Sequence, residues 1–597
     1  MLRRDLLKGA AAAPLAAGLA TPLTALAGPR RSRVRPGQSG WPDAAAWAAL
    51  SAATGGRLIK LDPPFAAAAA APDSPATAAL FKSLRNPFFI GDSPILTQTL
   101  GWTDAWTLQP SAYAVAANSA ADVAAAVKFA RWHSLRLVVK GGGHSYLGGS
   151  NAADSLLVWT RPMHDITVHD AFTPAGCPGP AQPAVSVGAG AIWLQAYQAV
   201  TGGHGRYVQG GGCTTVGVPG LVTGGGFGSF SKGFGTGAAS LLEAEVVTAD
   251  GQVCLANACT NPDLFWALKG GGGGTFGVVT RMTLMTHDLP AMFGSISGAV
   301  TAKSDAAYSA LVTQLLSFYR TALFNPHWGE QITFRFPRQI AISMVFQGLT
   351  QAEAAETWRP FFDWVAARPD DYVPAKPSVL ALPAKLFWNA ALLESVPGVV
   401  KTDDRPNAPK DHFFWAGDAN QVGQVIHGYQ STWLSQSLLQ PDKMPALVDA
   451  LVHCARRWGV SLHCNKGLAG APADALARSA DTSTNPAMLD AFALAISGGG
   501  EGPAYPGVAG HEPHVEQGRR DAATLAAAMA PLMALRPRPA SYISETDFGQ
   551  PDWQTAFWGE HYPRLARIKA RYDPDGLFFV HHSVGSEGWS ADGFTRA

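Results

Sequence analysis

Four clusters of glycine limit what the first half of this chain can fold into. They lie at residues 141–143, 210–212, 224–226 and 270–274. Glycine permits tight turns and lets another group approach the backbone closely, because it has no side chain. The clusters therefore predict several places where backbone contacts a ligand. With only 15% charged residues, the chain is neither a coiled coil nor a charged disordered tail.

The charge balance argues against a nucleic acid partner, and the cysteine spacing argues against a bound metal. There are 45 Lys and Arg residues against 44 Asp and Glu residues, without a long basic run, so we expect no nucleic acid partner. The six cysteines match no zinc-binding spacing, so we predict no metal. Export would make two disulfides possible, and the sequence leaves both open: Cys254 with Cys259, and Cys454 with Cys464.

The first thirty residues resemble an export signal. Arg3 and Arg4 precede a mildly apolar stretch, and residues 25–27 have the small-x-small form of a cleavage site. The pattern predicts a twin-arginine-type signal peptide over residues 1–27, export of the folded protein by the twin-arginine machinery, and a periplasmic or secreted location. An uncleaved membrane anchor is the alternative. No later apolar segment has the length of a transmembrane helix, so we expect no stable membrane span.

Periodicity predicts an α+β fold. Residues 28–107 are rich in proline and alanine, which indicates a loose N-terminal extension. A strand at 113–115, a helix that starts at Ser119 and a strand at 135–139 then form a β-α-β unit that ends in the first glycine cluster. The Asp-Gly pair at 250–251 indicates a hairpin.

The first glycine cluster lies directly after a strand, in the stretch Lys140-Gly141-Gly142-Gly143-His144-Ser145-Tyr146. Backbone N–H groups in such a loop face an anion closely, and a diphosphate is the natural ligand. The pattern is not G-x-G-x-x-G and no clear helix follows, which disfavours a Rossmann NAD site. An ordinary tight turn is the alternative.

Taken with this loop, other segments resemble a known family. They are the glycine-bearing stretches 210–217, 224–228 and 263–277 and the C-terminal stretch Asp573-Pro574-Asp575-Gly576. In this order they resemble the FAD-linked oxidases of the vanillyl-alcohol oxidase (VAO) type, and most closely the berberine-bridge-enzyme-like branch. The resemblance covers residues 108–290 closely and residues 540–585 at the C-terminus.

The resemblance implies a fold in two α+β parts. A PCMH-type FAD-binding domain would comprise residues 108–290 and be completed by residues 541–597. A substrate domain with a large antiparallel sheet would comprise residues 291–540, and the flavin ring would lie where the two parts meet.

The resemblance also implies covalent attachment of FAD. His144 matches the position that bonds the flavin 8α-methyl group, and Cys213 the position that bonds flavin C6. Both side chains are suitable nucleophiles, as a neutral imidazole and as a thiolate. The alternatives are a loop histidine bonded to backbone and a small buried apolar side chain.

The resemblance implies further cofactor contacts, mostly at glycines, where a ligand can approach the backbone closely. In similar proteins, a valine at the position of Val216 leaves a pocket for O2 beside the flavin. The alternative is that Val216 is an ordinary core residue. The remaining positions, which plain turns would also explain, are Gly141, Gly142, Gly143, Ser145, Gly217, Gly224, Gly225, Gly226, Gly228 and Gly277.

Two residues are candidates for the catalytic base. Tyr542 matches a family tyrosine that faces the flavin, but its segment has Ser544 and Glu545 where the family has Asn and Tyr. Glu545 is therefore the second candidate, and packing is the alternative for Tyr542. Weaker candidates for the pocket are Tyr146, Asn465, Lys466 and Asn485.

The implied function is a covalent-FAD oxidase of alcohols that passes a hydride to flavin N5 and reoxidises the flavin with O2, giving H2O2. Eighteen tryptophans and an export signal favour a carbohydrate or hemiacetal substrate, since flat aromatic rings pack on sugars, although tryptophan is also a common core residue. The alternatives are a dehydrogenase, an oxidase of amines or phenolic alcohols, and a flavin- or carbohydrate-binding protein without turnover.

Overall fold

The structure is a computed structural model that describes residues 32–374 and 376–596. The predicted signal peptide at residues 1–27 lies outside the described residues. Within the described part, the strands form sheets of four, six, ten and two strands. No helix in this part is long and apolar enough to cross a bilayer.

The N-terminal segment is built into the body of the protein. Its elements are α1 (Ala44–Ala53), β1 (Leu58–Lys60), α2 (Ala66–Ala70), α3 (Pro75–Ser83), α4 (Pro87–Gly91), β2 (Thr99–Trp102) and β3 (Trp106–Thr107). The buried Lys140 donates a hydrogen bond to Ser93 O (2.6 Å), and Gln98 N donates one to Gly143 O (2.9 Å). The expected loose extension is therefore wrong, because this segment packs under the first glycine cluster.

The predicted β-α-β unit is confirmed. It comprises β4 (Tyr113–Ala116), α5 (Ala120–Trp132), β5 (Arg136–Lys140) and β6 (Ser155–Trp159). Helix α5 begins where the Ser119 side chain accepts a hydrogen bond from Asp122 N (3.2 Å), and its apolar face, with Val123 and Val127, is buried. The sheet order is β1-β4-β6-β5, with β4 and β5 parallel to β6. Strand β5 runs straight into the glycine loop.

A second, antiparallel sheet carries the other glycine clusters. Its strands have the order β11-β10-β12-β8-β7, with β9 paired to β12, and the Asp-Gly hairpin joins β10 to β11 as predicted. The elements of this region are β7 (Ile166–Phe172), β8 (Gln182–Gly188), α6 (Trp193–Tyr197), β9 (Arg206–Val208), α7 (Val218–Thr223), α8 (Ser231–Phe234), β10 (Leu241–Val247), β11 (Val253–Asn257), α9 (Pro262–Leu268) and β12 (Val278–Asp288).

The disulfide of this region is not one of the two proposed from the sequence. Cys177 bonds Cys259, with Cα atoms 5.4 Å apart, and the cysteines are separated by 82 positions. The other members of the proposed pairs, Cys254, Cys454 and Cys464, are free thiols. The sheet brings the β7–β8 connection beside the loop after β11, and sequence spacing does not reveal this proximity.

The large sheet belongs to the middle of the chain. Its order is β16-β13-β15-β14-β21-β22-β20-β2-β3, with β17 also paired to β13, and its pairs are antiparallel except β2 with β20. The elements are β13 (Met292–Ala302), α10 (Asp305–Phe318), β14 (Trp328–Arg335), β15 (Gln339–Gln347), α11 (Gln351–Ala366), β16 (Tyr372–Pro374), β17 (Ser378–Pro383), α12 (Ala390–Glu394), β18 (Val400–Thr402), β19 (Phe413–Trp415), β20 (Gln424–Ser435), α13 (Met444–Arg457), β21 (Val460–His463), α14 (Ala473–Ala480), α15 (Ala487–Asp490), β22 (Ala491–Glu501) and α16 (Val515–Met533).

The two faces of this sheet differ in character. Side chains alternate between the faces along each strand. Ile332 and Ile342 point into a core shared with the helices α10, α11, α13 and α16. Their neighbours Gln331 and Ser343 line a cavity on the opposite face. The large sheet therefore supplies a polar wall.

The C-terminal segment returns to the first sheet. It contains α17 (Trp553–Trp558) and α18 (Tyr562–Tyr572), after which Phe578 forms a parallel bridge with Leu137 on β5. A buried ion pair fixes this return: Lys569 Nζ lies 2.6 Å from Asp573 Oδ2 and donates a hydrogen bond to Thr275 O at 2.6 Å. The pair thus holds the tail against the fourth glycine cluster.

We expect Asp573→Ala to destabilise the protein by about 3–5 kcal/mol, because it leaves the Lys569 ammonium buried without its counter-ion. It also removes the acceptor of the backbone N–H groups of Leu577 and Phe578. The control is Asp263→Ala, which removes exposed ion pairs with Arg564 and Arg571, both on α18 like Lys569, and should cost less than about 1 kcal/mol. Thermal unfolding measures both, and equal midpoints would contradict the prediction.

Candidate active site

One large cavity, of about 1090 Å³, lies where the two antiparallel sheets, the glycine loops and the C-terminal segment meet. The loop after β5, the loop before α7 and the loop after α9 form one wall. The polar face of the large sheet forms the other. Most of the residues predicted to contact the cofactor lie on the first wall.

Two glycine loops meet backbone to backbone in this wall. A Cβ atom added to Gly142 would lie 2.7 Å from Gly217 N, so a side chain at Gly142 is excluded. Gly143 has a φ of +73°, which favours glycine. The backbone N–H groups of residues 142–145 donate to no acceptor within the described part of the chain. A cradle of free N–H donors fits the diphosphate of a dinucleotide.

His144 and Cys213 line the same cavity. His144 Nε2 lies 3.2 Å from the Thr215 hydroxyl, and burial lowers the pKa of the imidazole to about 4. The Cys213 thiol is free, and the Asp418 carboxylate lies beside it. Burial and that carboxylate raise the pKa of the thiol well above its usual value. A neutral imidazole and a thiol therefore face one space.

The structure separates the predicted glycine contacts into two sets. Ser145, Val216, Gly217, Gly224, Gly228 and Gly277 line the cavity together with the first cluster. Gly225 and Gly226 do not line it, and their role as cofactor contacts stays a prediction. A Cβ atom at Gly225 would meet Thr484 at 3.1 Å, and Gly226 N donates to the Tyr542 hydroxyl at 3.4 Å. These two glycines allow the close packing of the wall itself.

The two candidate bases differ in what they present to the cavity. Tyr542 is only 4% exposed. Its hydroxyl is turned toward the third glycine cluster, and burial raises its pKa to about 12. Glu545 also lines the cavity, where its carboxylate forms an ion pair with Lys466. Glu545 is thus the candidate that presents a carboxylate to the cavity, next to a cation.

Several polar residues of the cavity were missed in the sequence. Glu330, on β14, has a left-handed φ of +59°; its carboxylate accepts a hydrogen bond from Ser229, and burial raises its pKa. Asp418 lies after β19, and burial raises its pKa as well. Nothing in the local pattern marks these two residues. The pairing of β14 with the distant β21 brings Glu330 to the cavity, and hydrogen bonds between β19 and the Cys213 loop bring Asp418 there.

Of the weaker candidates, three line the cavity: Tyr146, Asn465 and Lys466. Asn485 does not, because its amide donates hydrogen bonds to Thr555 O and Ala556 O (3.1 and 2.8 Å). It holds the C-terminal segment in place.

Comparison with known proteins identifies the family. The model of the FAD binding domain matches residues 110–257, and the model for berberine and berberine-like proteins matches residues 541–585. An FAD-linked oxidoreductase, easE of Arthroderma benhamiae, is 32% identical over 494 residues, which cover 80% of this chain and 90% of the relative. This chain is a VAO-type FAD-linked oxidoreductase of the berberine-bridge-enzyme-like branch.

Longer alignments agree with this assignment. The oxidoreductase is 29% identical to the VAO-type flavoprotein oxidase VAO615 of Thermothelomyces thermophilus, over 94% of both chains. The crystal structure of the VAO-type flavoprotein MtVAO615 from Myceliophthora thermophila C1 superposes with a TM-score of 0.77 at 25% identity, covering 95% of this chain and 100% of that one. The predicted fold class is confirmed, and the enzyme is an FAD-dependent oxidoreductase.

Proposed function

We propose that this oxidoreductase holds FAD through bonds to both His144 and Cys213 and oxidises an alcohol group of a polyhydroxylated substrate, such as a carbohydrate or hemiacetal. The main support for the proposal is that one cavity is lined by His144, by Cys213, by the glycine loop with its free N–H donors and by the polar face of the large sheet. Bound FAD supplies the hydride acceptor and passes the electrons to O2, which gives H2O2.

The polar wall supports a hydroxyl-rich substrate. A row of cavity-lining residues crosses four neighbouring strands in register: Ser297, Ser343, Gln331 and His463. At its inner end, His463 Nδ1 and Asn465 Oδ1 are buried without a hydrogen-bond partner among the described residues. Buried polar atoms without partners are costly, and substrate hydroxyl groups would satisfy them.

Two tyrosine rings also line the cavity. Tyr146 and Tyr429 line the cavity with ring centroids 5.4 Å apart. Rings that combine an apolar face with a polar tip suit a sugar ring, which has the same mixed character. This pair gives more specific support to a carbohydrate than the number of tryptophans does, since many of those are buried in the cores.

Glu545 is the proposed base for the substrate hydroxyl proton. Its carboxylate faces the cavity, and the ammonium of Lys466 holds it in place. Tyr542 is better suited to packing, because a phenol with a pKa of about 12 is seldom ionised near neutral pH.

An amine substrate is the second candidate, and the charges of the cavity favour it. Of the described residues that line the cavity, three carry a carboxyl group and one carries a lysine ammonium: Glu330, Asp418, Glu545 and Lys466. An excess of carboxyl groups attracts a cationic substrate.

Anaerobic mixing with a panel of sugars, polyols, phenolic alcohols and amines tests both candidates. We expect bleaching of the flavin absorbance by sugars or polyols, and its rapid return with H2O2 when air is admitted. Bleaching by amines alone would support the second candidate. Slow recovery in air would reject the oxidase in favour of a dehydrogenase, and a flavin that stays oxidised with every compound would reject both substrates.

Val216 provides a separate test of the reaction with oxygen. This residue lines the cavity three positions after Cys213, and a larger leucine should fill the space beside it. We expect Val216→Leu to slow reoxidation by about tenfold or more, which corresponds to an activation barrier higher by about 1.4 kcal/mol, without changing anaerobic reduction by substrate. Stopped-flow absorbance measures both steps, and Val222→Leu, a buried change outside the lining, is the control. An unchanged oxygen rate would refute this role.

A further inference from the structure

A short segment, residues 413–421, is bound to the loop of Cys213 from both sides. The Thr214 hydroxyl donates a hydrogen bond to Phe413 O (2.9 Å). The Trp415 indole donates one to Gly212 O (2.9 Å). These two bonds involve the residues immediately before and after Cys213. They fix the segment across the thiol.

The same segment also contacts the loop of His144. The Tyr146 hydroxyl donates a hydrogen bond to Gln421 Oε1 (3.0 Å). Between these anchors, Asp418 lines the same cavity as Cys213, with its carboxylate beside the thiol. The segment therefore holds one carboxylate against the predicted attachment sulfur.

We propose that Asp418 takes the thiol proton of Cys213 when the sulfur bonds carbon 6 of the flavin. This inference rests on the double attachment proposed above. In the balanced step, the S–H proton passes to the Asp418 carboxylate, the S–C6 bond forms, and carbon 6 loses its hydrogen as a proton. The two electrons released enter the ring and then reduce O2 to H2O2, so O2 is the oxidant.

The surroundings of the thiol explain why it needs a proton acceptor. The reactive form of cysteine is the thiolate, and burial disfavours this form at Cys213. The other charged groups near the thiol are engaged elsewhere: Glu330 accepts from Ser229, and Lys466 pairs with Glu545. Of the neighbouring carboxylates, Asp418 acts most strongly on the thiol.

Peptide mass spectrometry of the purified holoenzyme tests the role of Asp418. In Asp418→Asn we expect the peptide with His144 to carry flavin as in the wild type, whereas the flavin adduct on the Cys213 peptide falls by at least about tenfold, the low end of what a positioned base contributes. Flavin on His144 in the same sample shows that the variant is folded. Asp418→Glu should recover part of the Cys213 adduct.

Glu330→Gln is the matched control, because Glu330 is another buried carboxyl group of the same cavity. It should keep the Cys213 adduct. An adduct of wild-type extent in Asp418→Asn, or its loss in Glu330→Gln alone, would overturn the role of Asp418. A wild-type enzyme without any Cys213 adduct would overturn the double attachment itself.

Discussion

Replacing His144 and Cys213 together with alanine should release all of the FAD when the protein is precipitated with acid, whereas either single replacement should leave the flavin in the pellet. Both side chains line one cavity, so each alone would still hold the cofactor by a covalent bond. The flavin absorbance of the supernatant and of the pellet measures the release.

The ionisation of His144 supports this expectation. Because burial lowers the pKa of the imidazole to about 4, the side chain is neutral and nucleophilic above about pH 5. Attachment through His144 in the Cys213→Ala variant should therefore be insensitive to pH between about 5 and 7 and should decline below about 4, where the imidazole gains a proton.

Two matched replacements control for indirect effects. Cys254→Ala removes a free thiol on β11, and His169→Ala removes an imidazole on β7; neither residue lines the cavity. Both should retain all of the flavin. Complete release from either single variant at His144 or Cys213 would show that FAD is attached at one residue only.

The parts of the fold that were predicted correctly depend on contacts close in sequence. The β-α-β unit follows from the Ser119 cap, the spacing of Val123 and Val127, and the strand that ends at Lys140. Each signal lies within one or two turns of the element that it specifies. The glycine clusters could also be recognised in the sequence, because close approach to the backbone favours glycine.

The parts that were missed depend on contacts between distant residues. Ser229 and Glu330 are 101 positions apart, yet their side chains are hydrogen-bonded, and Cys177 reaches Cys259 across 82 positions. Such pairs are created by strand register and by the docking of loops, which local periodicity does not encode. The same reason explains why the glycine pattern did not reveal that Gly225 packs against Thr484 and that Gly226 contacts Tyr542.

The choice between Tyr542 and Glu545 also depends on contacts with distant residues, although the two candidates are close together in the sequence. Both residues lie in the segment that resembles the family, and both line the cavity. Their chemical difference comes from groups that are remote in the chain. Gly226 binds the hydroxyl of Tyr542, and Lys466 pairs with the carboxylate of Glu545.

Glu545→Gln should slow the anaerobic reduction of the flavin by substrate about 10²- to 10⁴-fold, the usual contribution of a general base. Glutamine keeps the size and hydrogen-bonding ability of the side chain and loses its charge, so the KM for the substrate should change much less than kcat. Stopped-flow reduction, with the best substrate from the anaerobic panel, measures the effect.

Tyr542→Phe separates the two candidate bases. The Tyr542 hydroxyl accepts a hydrogen bond from Gly226 N, and its loss should cost about 1 kcal/mol, which is less than tenfold in rate. Lys466→Met should act in the same direction as Glu545→Gln, since it removes the cation that holds the carboxylate in the cavity. If Tyr542→Phe instead slowed reduction more than Glu545→Gln, the phenol would be the base despite its burial, and Glu545 with Lys466 would serve to bind the substrate.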